Sequence, residues 1–145
     1  MDKNLTLREH RSGDEIFQHT EGVWNISAIR EGIATEPETF TIIDMPLSQE
    51  FIRHIRTNLG INIKRARALT LEQRDEPGLV IVREREHGII VFMIDGHHRA
   101  IRRWRDGFKT MQVHVIAEEV GEMWRIKDDT LILSLEETSI GKTTQ

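Results

Sequence analysis

The stretch FMIDGHHRAIRRWRDG, residues 92–107, decides the fold of this chain because the hydrophobic period changes within it. Residues 88–94 form an apolar run that is typical of a strand and ends at Asp95-Gly96. Beyond this break, apolar residues recur at the three- and four-residue steps of an amphipathic helix: Ala100, Ile101 and Trp104. Gly107 indicates the end of that helix. The stretch therefore predicts a strand, a glycine turn and a basic helix in direct succession.

The segments around this stretch predict further strands and helices. Strands are expected at 39–44, 79–83, 88–94 and 111–117, and helices at 23–33 and 48–58. Ser48 is a typical N-cap of the second helix, and Gly60 is a typical stop. Thr70 and Gln73 have the spacing of a capping box. Because residues 88–94 are apolar on both faces, we expect them to form a central strand.

This element order predicts an α/β (α+β) fold, with a mixed sheet and helices in a single small domain. A chain of 145 residues with 38% hydrophobic residues can bury one core of that size. We assign residues 1–39 to an N-terminal helical extension, 40–118 to the core and 119–145 to a C-terminal extension. In that last segment, 131–135 predicts a final strand or helical turn, and 136–145 a disordered polar tail.

Composition excludes several classes of function. No run of eighteen apolar residues is present, and the charged N-terminal segment lacks an apolar signal core, so we expect a cytoplasmic protein with no membrane partner. The chain has no cysteine, which excludes disulfides, thiolate metal sites and thiol-based catalysis. The sequence is also compatible with a homodimer.

Charge is distributed unevenly along the chain. The net charge is −4, yet residues 53–109 carry 13 Lys and Arg against 7 Asp and Glu. The remaining residues carry 7 Lys and Arg against 17 Asp and Glu. A basic middle segment between acidic ends favours a polyanionic ligand, although charged residues also coat ordinary solvated helix faces.

The turn Asp95-Gly96-His97-His98-Arg99 is the candidate site. A helix N-terminus presents backbone N–H groups and the positive end of the helix dipole, and glycine lets a ligand approach the backbone closely. The histidines can donate ring N–H groups and Arg99 offers a fork for phosphate oxygens, whereas Asp95 could cap the helix, orient a histidine or hold a divalent metal. We expect one histidine to face the site and the other to point inward. A purely structural ion pair of Arg99 remains the alternative.

Two other functions are compatible with the sequence. A nucleic-acid-binding protein or nuclease would use the basic residues of the middle segment. These are Arg53, Arg56, Lys64, Arg65, Arg67, Arg102, Arg103 and Arg105. Alternatively, a non-enzymatic interaction or regulatory protein would bind a partner through its acidic terminal segments. Trp104 is expected in the core, with base stacking as the alternative.

The order hairpin, strand, Asp-Gly-His-His-Arg turn, helix, glycine and closing strand resembles the ParB N-terminal and sulfiredoxin-like superfamily over about residues 40–118. The resemblance implies a turn that binds nucleotide phosphates through Gly96 and Arg99. The absence of cysteine excludes sulfiredoxin activity. Arg102 stands where partitioning ParB proteins have a small residue, and 145 residues are too few for their DNA-binding and dimerisation domains, so we do not expect chromosome partitioning.

The Asp-Gly-His-x-Arg form of the turn is similar to that of the free-serine kinases of this superfamily. This likeness implies a nucleoside di- or triphosphate donor, Mg²⁺ on Asp95, and catalytic roles for Asp95 and Glu50. Arg99 and the helix N-terminus would hold the donor phosphates, and Glu50 would act as the base towards a small hydroxyl substrate. Nucleases of the superfamily imply instead metal-assisted phosphodiester cleavage by Asp95 and His97 beside the basic segment 64–67.

Overall fold

The computed structural model describes residues 11–19, 22–59 and 61–126, and it confirms the mixed α/β class. Its contacts group these residues into two compact units. One unit is Phe40–Glu118, the range assigned to the core from the sequence, and the other contains the described parts of 1–39 and 119–145. Within the described residues, no helix combines the length and hydrophobicity that a membrane crossing requires.

The Phe40–Glu118 unit is built on a four-stranded mixed sheet. Its strands are β3 (Thr41–Pro46), β4 (Gly78–Arg85), β5 (Gly88–Asp95) and β6 (Thr110–Ala117), and their order in the sheet is β3-β6-β4-β5. Neighbours pair antiparallel except for β4 and β6, which are parallel. The predicted hairpin of β4 and β5 is confirmed, with Arg85 opposite Gly88 at its turn.

The prediction that residues 88–94 form a central strand is wrong, because β5 lies at the edge of the sheet. Three of its apolar side chains are exposed: Ile89 by 66%, Ile90 by 52% and Val91 by 52%. The central positions belong to β4 and β6, whose apolar side chains are the more deeply buried ones. An apolar run shows that a strand can be buried on both faces, but the pairing of distant segments decides which strands lie inside.

Four helices accompany this sheet: α2 (Gln49–Asn58), α3 (Ile63–Ala68), α4 (Leu71–Asp75) and α5 (His97–Arg105). Ser48 caps α2 by accepting from the Phe51 N–H at 3.0 Å, as predicted. The predicted capping box is also confirmed, since the Thr70 hydroxyl accepts from the Gln73 N–H and the Gln73 side chain accepts from the Thr70 N–H. Gly60, the predicted stop of α2, lies outside the described residues.

Helix α5 contacts three other helices of the unit, α2, α3 and α4, and strand β6. Its buried face, Ala100 and Ile101, joins side chains of α2, β4 and β6 in one hydrophobic cluster. Removing such side chains from water is the main stabilising term of a small domain. The cluster therefore fixes where the ends of α5 lie.

The other unit begins with a hairpin of β1 (Ile16–His19) and β2 (Gly22–Asn25), followed by α1 (Ile26–Thr35). The helix predicted from Val23 begins at Ile26 instead, because Asn25 caps it by accepting from the Ala28 N–H and Val23 belongs to β2. A short 3-10 segment (Pro37–Thr39) follows α1. The predicted helical extension therefore also contains a hairpin.

The C-terminal part of this unit contributes α6 (Glu118–Gly121), which starts at the boundary, and a 3-10 segment (Glu122–Trp124). Trp124 is buried over α1, where a side chain on Gly32 would meet its ring at 2.8 Å. The segments 131–135 and 136–145, for which the sequence predicts a last element and a disordered tail, lie outside the described residues.

Candidate functional site

The turn between β5 and α5 leaves the start of the helix without a side-chain cap. Gly96 is the N-cap of α5 in the left-handed conformation, with φ 104°, and no side chain caps this helix. The Ala100 N–H donates to the Gly96 carbonyl at 2.9 Å as the first intrahelical hydrogen bond. The N–H groups of residues 97–99 thus precede the helical ladder and lie at the positive end of the dipole.

A second glycine, Gly78, makes this turn possible, and sequence reasoning missed it. A Cβ atom on Gly96 would lie 3.0 Å from the Gly78 Cα, and a Cβ on Gly78 would lie 2.9 Å from the Asp95 carbonyl oxygen. The start of β4 and the turn therefore pack backbone against backbone. The sequence signal at this position is the dipeptide Pro77-Gly78, which is typical of a turn and does not reveal the close contact.

Arg99 is held inside the turn by its neighbours. Its Nη2 donates to Asp95 Oδ2 at 3.0 Å, its Nη1 donates to the Pro77 carbonyl at 3.3 Å, and Glu76 Oε2 lies 3.6 Å from Nη1. The side chains of Arg99 and Asp95 are only 11% and 12% exposed. Arg99 therefore links the turn to the segment before β4, which agrees with the alternative that its role is a structural ion pair. Its guanidinium group does not extend into solvent.

Asp95 does not cap α5, because Gly96 occupies the N-cap position and no side chain caps the helix. Its carboxylate is instead paired with Arg99. A guanidinium at this distance competes with a cation for the same oxygen, so the arrangement does not fit a Mg²⁺ ligand. Within the described ranges, no three His, Asp or Glu side chains are grouped to hold a metal ion.

The two histidines of the turn differ as expected. His97 is buried, whereas His98 is half-buried. Burial, and then the positive charges of Arg65 and Arg99, lower the pKa of His98. At neutral pH this imidazole is therefore neutral, with one ring nitrogen as donor and the other as acceptor.

Glu50, the expected catalytic base, lies exposed in the first turn of α2. In the part of the chain that the structure describes, it forms no hydrogen bond or ion pair with the turn. A first-turn acid interacts favourably with the dipole of its own helix, and that interaction is sufficient to explain its position.

The basic residues proposed for nucleic-acid binding separate into two groups. Arg102 and Arg103 are occupied, since Arg102 donates to carbonyls at the end of α3 and Arg103 donates to Asp75 and to the Thr110 carbonyl. The others are exposed: Arg53 and Arg56 on α2, Lys64, Arg65 and Arg67 on α3, and Arg105 at the end of α5. The second group is the one that a ligand can reach.

Comparison with known proteins gives no relative from which a role could be transferred. No family model matches this sequence, no curated protein matches it, and no solved structure matches it. The geometry of the turn and of the basic side chains therefore carries the functional inference.

Proposed function

We propose that the Phe40–Glu118 unit binds a phosphate group of a nucleotide at the N-terminus of α5. The observation that carries this proposal is the left-handed Gly96, which caps a nine-residue helix without any side chain. Backbone N–H groups at the start of a helix can donate to phosphate oxygens.

Charge around the turn supports the proposal. Burial is the larger cause of the lowered pKa of His98, and the positive charges of Arg65 and Arg99 add to it. A phosphate beside this ring would interact favourably with those two charges. It also stabilises the protonated imidazole, which then offers a second N–H donor.

Arg99 is a positioning residue in this proposal. Its ion pair with Asp95 and its hydrogen bond to Pro77 hold the two sides of the turn together, so that the N–H groups point in a fixed direction. The proposal covers binding alone. No step of phosphate transfer follows from an Asp95 that is already paired with Arg99, or from a Glu50 that forms no hydrogen bond or ion pair with the turn in the described part of the chain.

Calorimetric titration at pH 7.5 and pH 5.5 tests this site, with ATP, ADP, CTP, GTP and inorganic phosphate as ligands. We expect one nucleotide to bind per chain, with affinity several-fold higher at pH 5.5. The sign follows because the pKa of His98 is depressed in the free protein and raised by a bound anion, so binding takes up a proton and strengthens as pH falls.

The His98→Gln variant is the control, because it keeps a polar side chain but cannot titrate. Its affinity should not rise at pH 5.5, because protonation of the phosphate by itself weakens binding as pH falls. If no nucleotide and no phosphate binds the wild type, or if His98→Gln keeps the full pH dependence, the turn is not the phosphate site.

A further inference from the structure

A cavity of about 400 Å³ lies between α2 and α5, apart from the turn. Its lining includes three arginines, Arg53, Arg56 and Arg105, and no acidic residue. Among the residues that the structure describes, no carboxylate pairs with these three guanidinium groups. An exposed concentration of positive charge that no described carboxylate neutralises is available to an anionic ligand.

One wall of the cavity is aromatic and apolar. Trp104 lines it together with Ile101 and Ile63, while Thr57 and Gln49 supply polar groups. Trp104 also packs against the hydrophobic cluster, so its ring is held in place, and it stays partly exposed. The other two tryptophans of the chain are buried. The cavity therefore joins a fixed aromatic surface to phosphate-binding side chains.

Helix α3 extends this positive surface away from the cavity. Its first residue, Ile63, lines the cavity, and the exposed Lys64, Arg65 and Arg67 follow. The charge of Arg65 reaches His98 at the other end of α5. Because a helix rises about 1.5 Å per residue, the two ends of α5 are separated by about 12 Å. A ligand with several phosphates in a row matches such a surface better than a single nucleotide does.

We propose that the cavity takes one base of a single-stranded nucleic acid. The base stacks on Trp104, and the phosphates on either side of it bind Arg53, Arg56 and Arg105. Stacking on an aromatic side chain in a basic groove is a sequence-tolerant way to hold a single strand. A duplex does not fit, because its bases are already stacked and paired. The proposal is independent of the phosphate site at the turn, since no residue of 95–99 lines the cavity.

Fluorescence anisotropy with labelled 15-nucleotide oligo-dT and oligo-rU tests the cavity in the full chain. The variant Arg53→Ala/Arg56→Ala should bind at least tenfold more weakly than the wild type. Each phosphate contact on a single strand contributes about 0.7 to the slope of log K against log salt, so the double variant should lose about 1.4 of that slope. Both side chains are exposed, so the variant should keep the wild-type melting temperature.

The matched control is Arg11→Ala/Lys109→Ala, which removes the same charge from two exposed residues outside the cavity. It should retain affinity within about twofold. Equal losses in the two double variants would show a general charge effect and overturn the proposal, as would wild-type binding by the cavity variant.

Tryptophan fluorescence gives a second measurement. The oligonucleotide should quench the emission of the wild type, and Trp104→Phe should lose this quenching while a ring remains in the cavity. Persisting quenching in Trp104→Phe would contradict stacking on this residue. A single nucleotide or a duplex that binds as tightly as the 15-mer would also overturn the proposal. His98→Gln separates the two sites, because it changes the pH dependence at the turn and leaves oligonucleotide quenching intact.

Discussion

Arg102 and Arg105 lie three residues apart on α5, yet one is occupied by the protein and the other is open. Arg102 donates to the Leu69 carbonyl at 2.6 Å and to Asp106 at 2.8 Å, and its side chain is 17% exposed. Arg105 lines the cavity beside Trp104. Two arginines on one helix can therefore differ in role. One stabilises the tertiary structure and the other is accessible to a ligand, and the groups around each side chain decide its role.

The arginines that pair within the protein form a network at the C-terminal ends of α4 and α5. Arg74 and Arg103 both bond to Asp75, and their guanidinium groups lie 4.7 and 4.1 Å from the centroid of the Phe108 ring. Such cation–π contacts and shared ion pairs restrict the side chains to one geometry. Two segments distant in sequence, residues 74–75 and 103–108, are joined there, which is a structural role rather than a binding role.

The largest difference in stability between the two kinds of arginine is expected for Arg102→Ala. The substitution leaves the carbonyls at the end of α3 without their charged donor, which should lower the free energy of unfolding by about 2–3 kcal/mol. Arg105→Ala should change it by less than about 0.5 kcal/mol. Urea denaturation of both variants measures the difference. Equal destabilisation would contradict the division of α5 into occupied and open arginines.

A smaller effect is expected at the turn, where Gly96 packs closely against Gly78. Gly96→Ala forces a positive φ on alanine and places its Cβ 3.0 Å from the Gly78 Cα, which should cost about 2 kcal/mol. Gly107 also has a positive φ but has open space around it, so Gly107→Ala should cost only about 1 kcal/mol. Thermal unfolding of the two variants compares them, and a cost at Gly96 no larger than at Gly107 would show that the close approach is unimportant.

The smallest effect concerns acid stability. Hydrogen bonds from Arg74 lower the pKa of Asp75 and of Asp106 below the ordinary 3.8. A lowered folded-state pKa gives stability that is present above the unfolded value and is lost as pH falls through the folded value. The melting temperature of the wild type should therefore fall more steeply than that of Asp75→Asn between about pH 4 and pH 2.

Arg53→Ala is the control for this prediction, because it removes an arginine that no described carboxylate pairs with. Because Arg53 belongs to the cavity, this variant should keep the steep acid dependence of the wild type. A shallow acid curve in Arg53→Ala, or a wild-type curve in Asp75→Asn, would break the distinction between the two groups of arginines.

Much of the local structure could be predicted because it depends on neighbouring residues. The caps at Ser48 and Thr70, the hairpin and the strand-turn-helix order all follow from short-range periodicity and side-chain-to-backbone hydrogen bonds. The start of α1 was misplaced because Asn25 competes as a cap within an apolar period that continues through Val23.

Partners of charged residues could not be predicted from the sequence. Arg99 and Asp95 have helical i,i+4 spacing, which permits their ion pair, but the Pro77 carbonyl reaches Arg99 only through the packing of β4 against the turn. Glu50 fits the role that the resemblance implies by its order in the chain, yet among the described residues it forms no hydrogen bond or ion pair with the turn. Order along the chain does not fix distance in space.

The sequence by itself determined the α/β class, the glycine turn before a basic helix and the excess of positive charge in the middle segment. Only the tertiary structure decided that β5 is an edge strand, that Arg102 and Arg103 are occupied, and that Arg53, Arg56 and Arg105 line one cavity with Trp104. The physical reason is the distance along the chain over which each interaction acts. Backbone preferences and caps act over a few residues, whereas strand order, ion pairing and cavities arise when the hydrophobic cluster brings distant segments together.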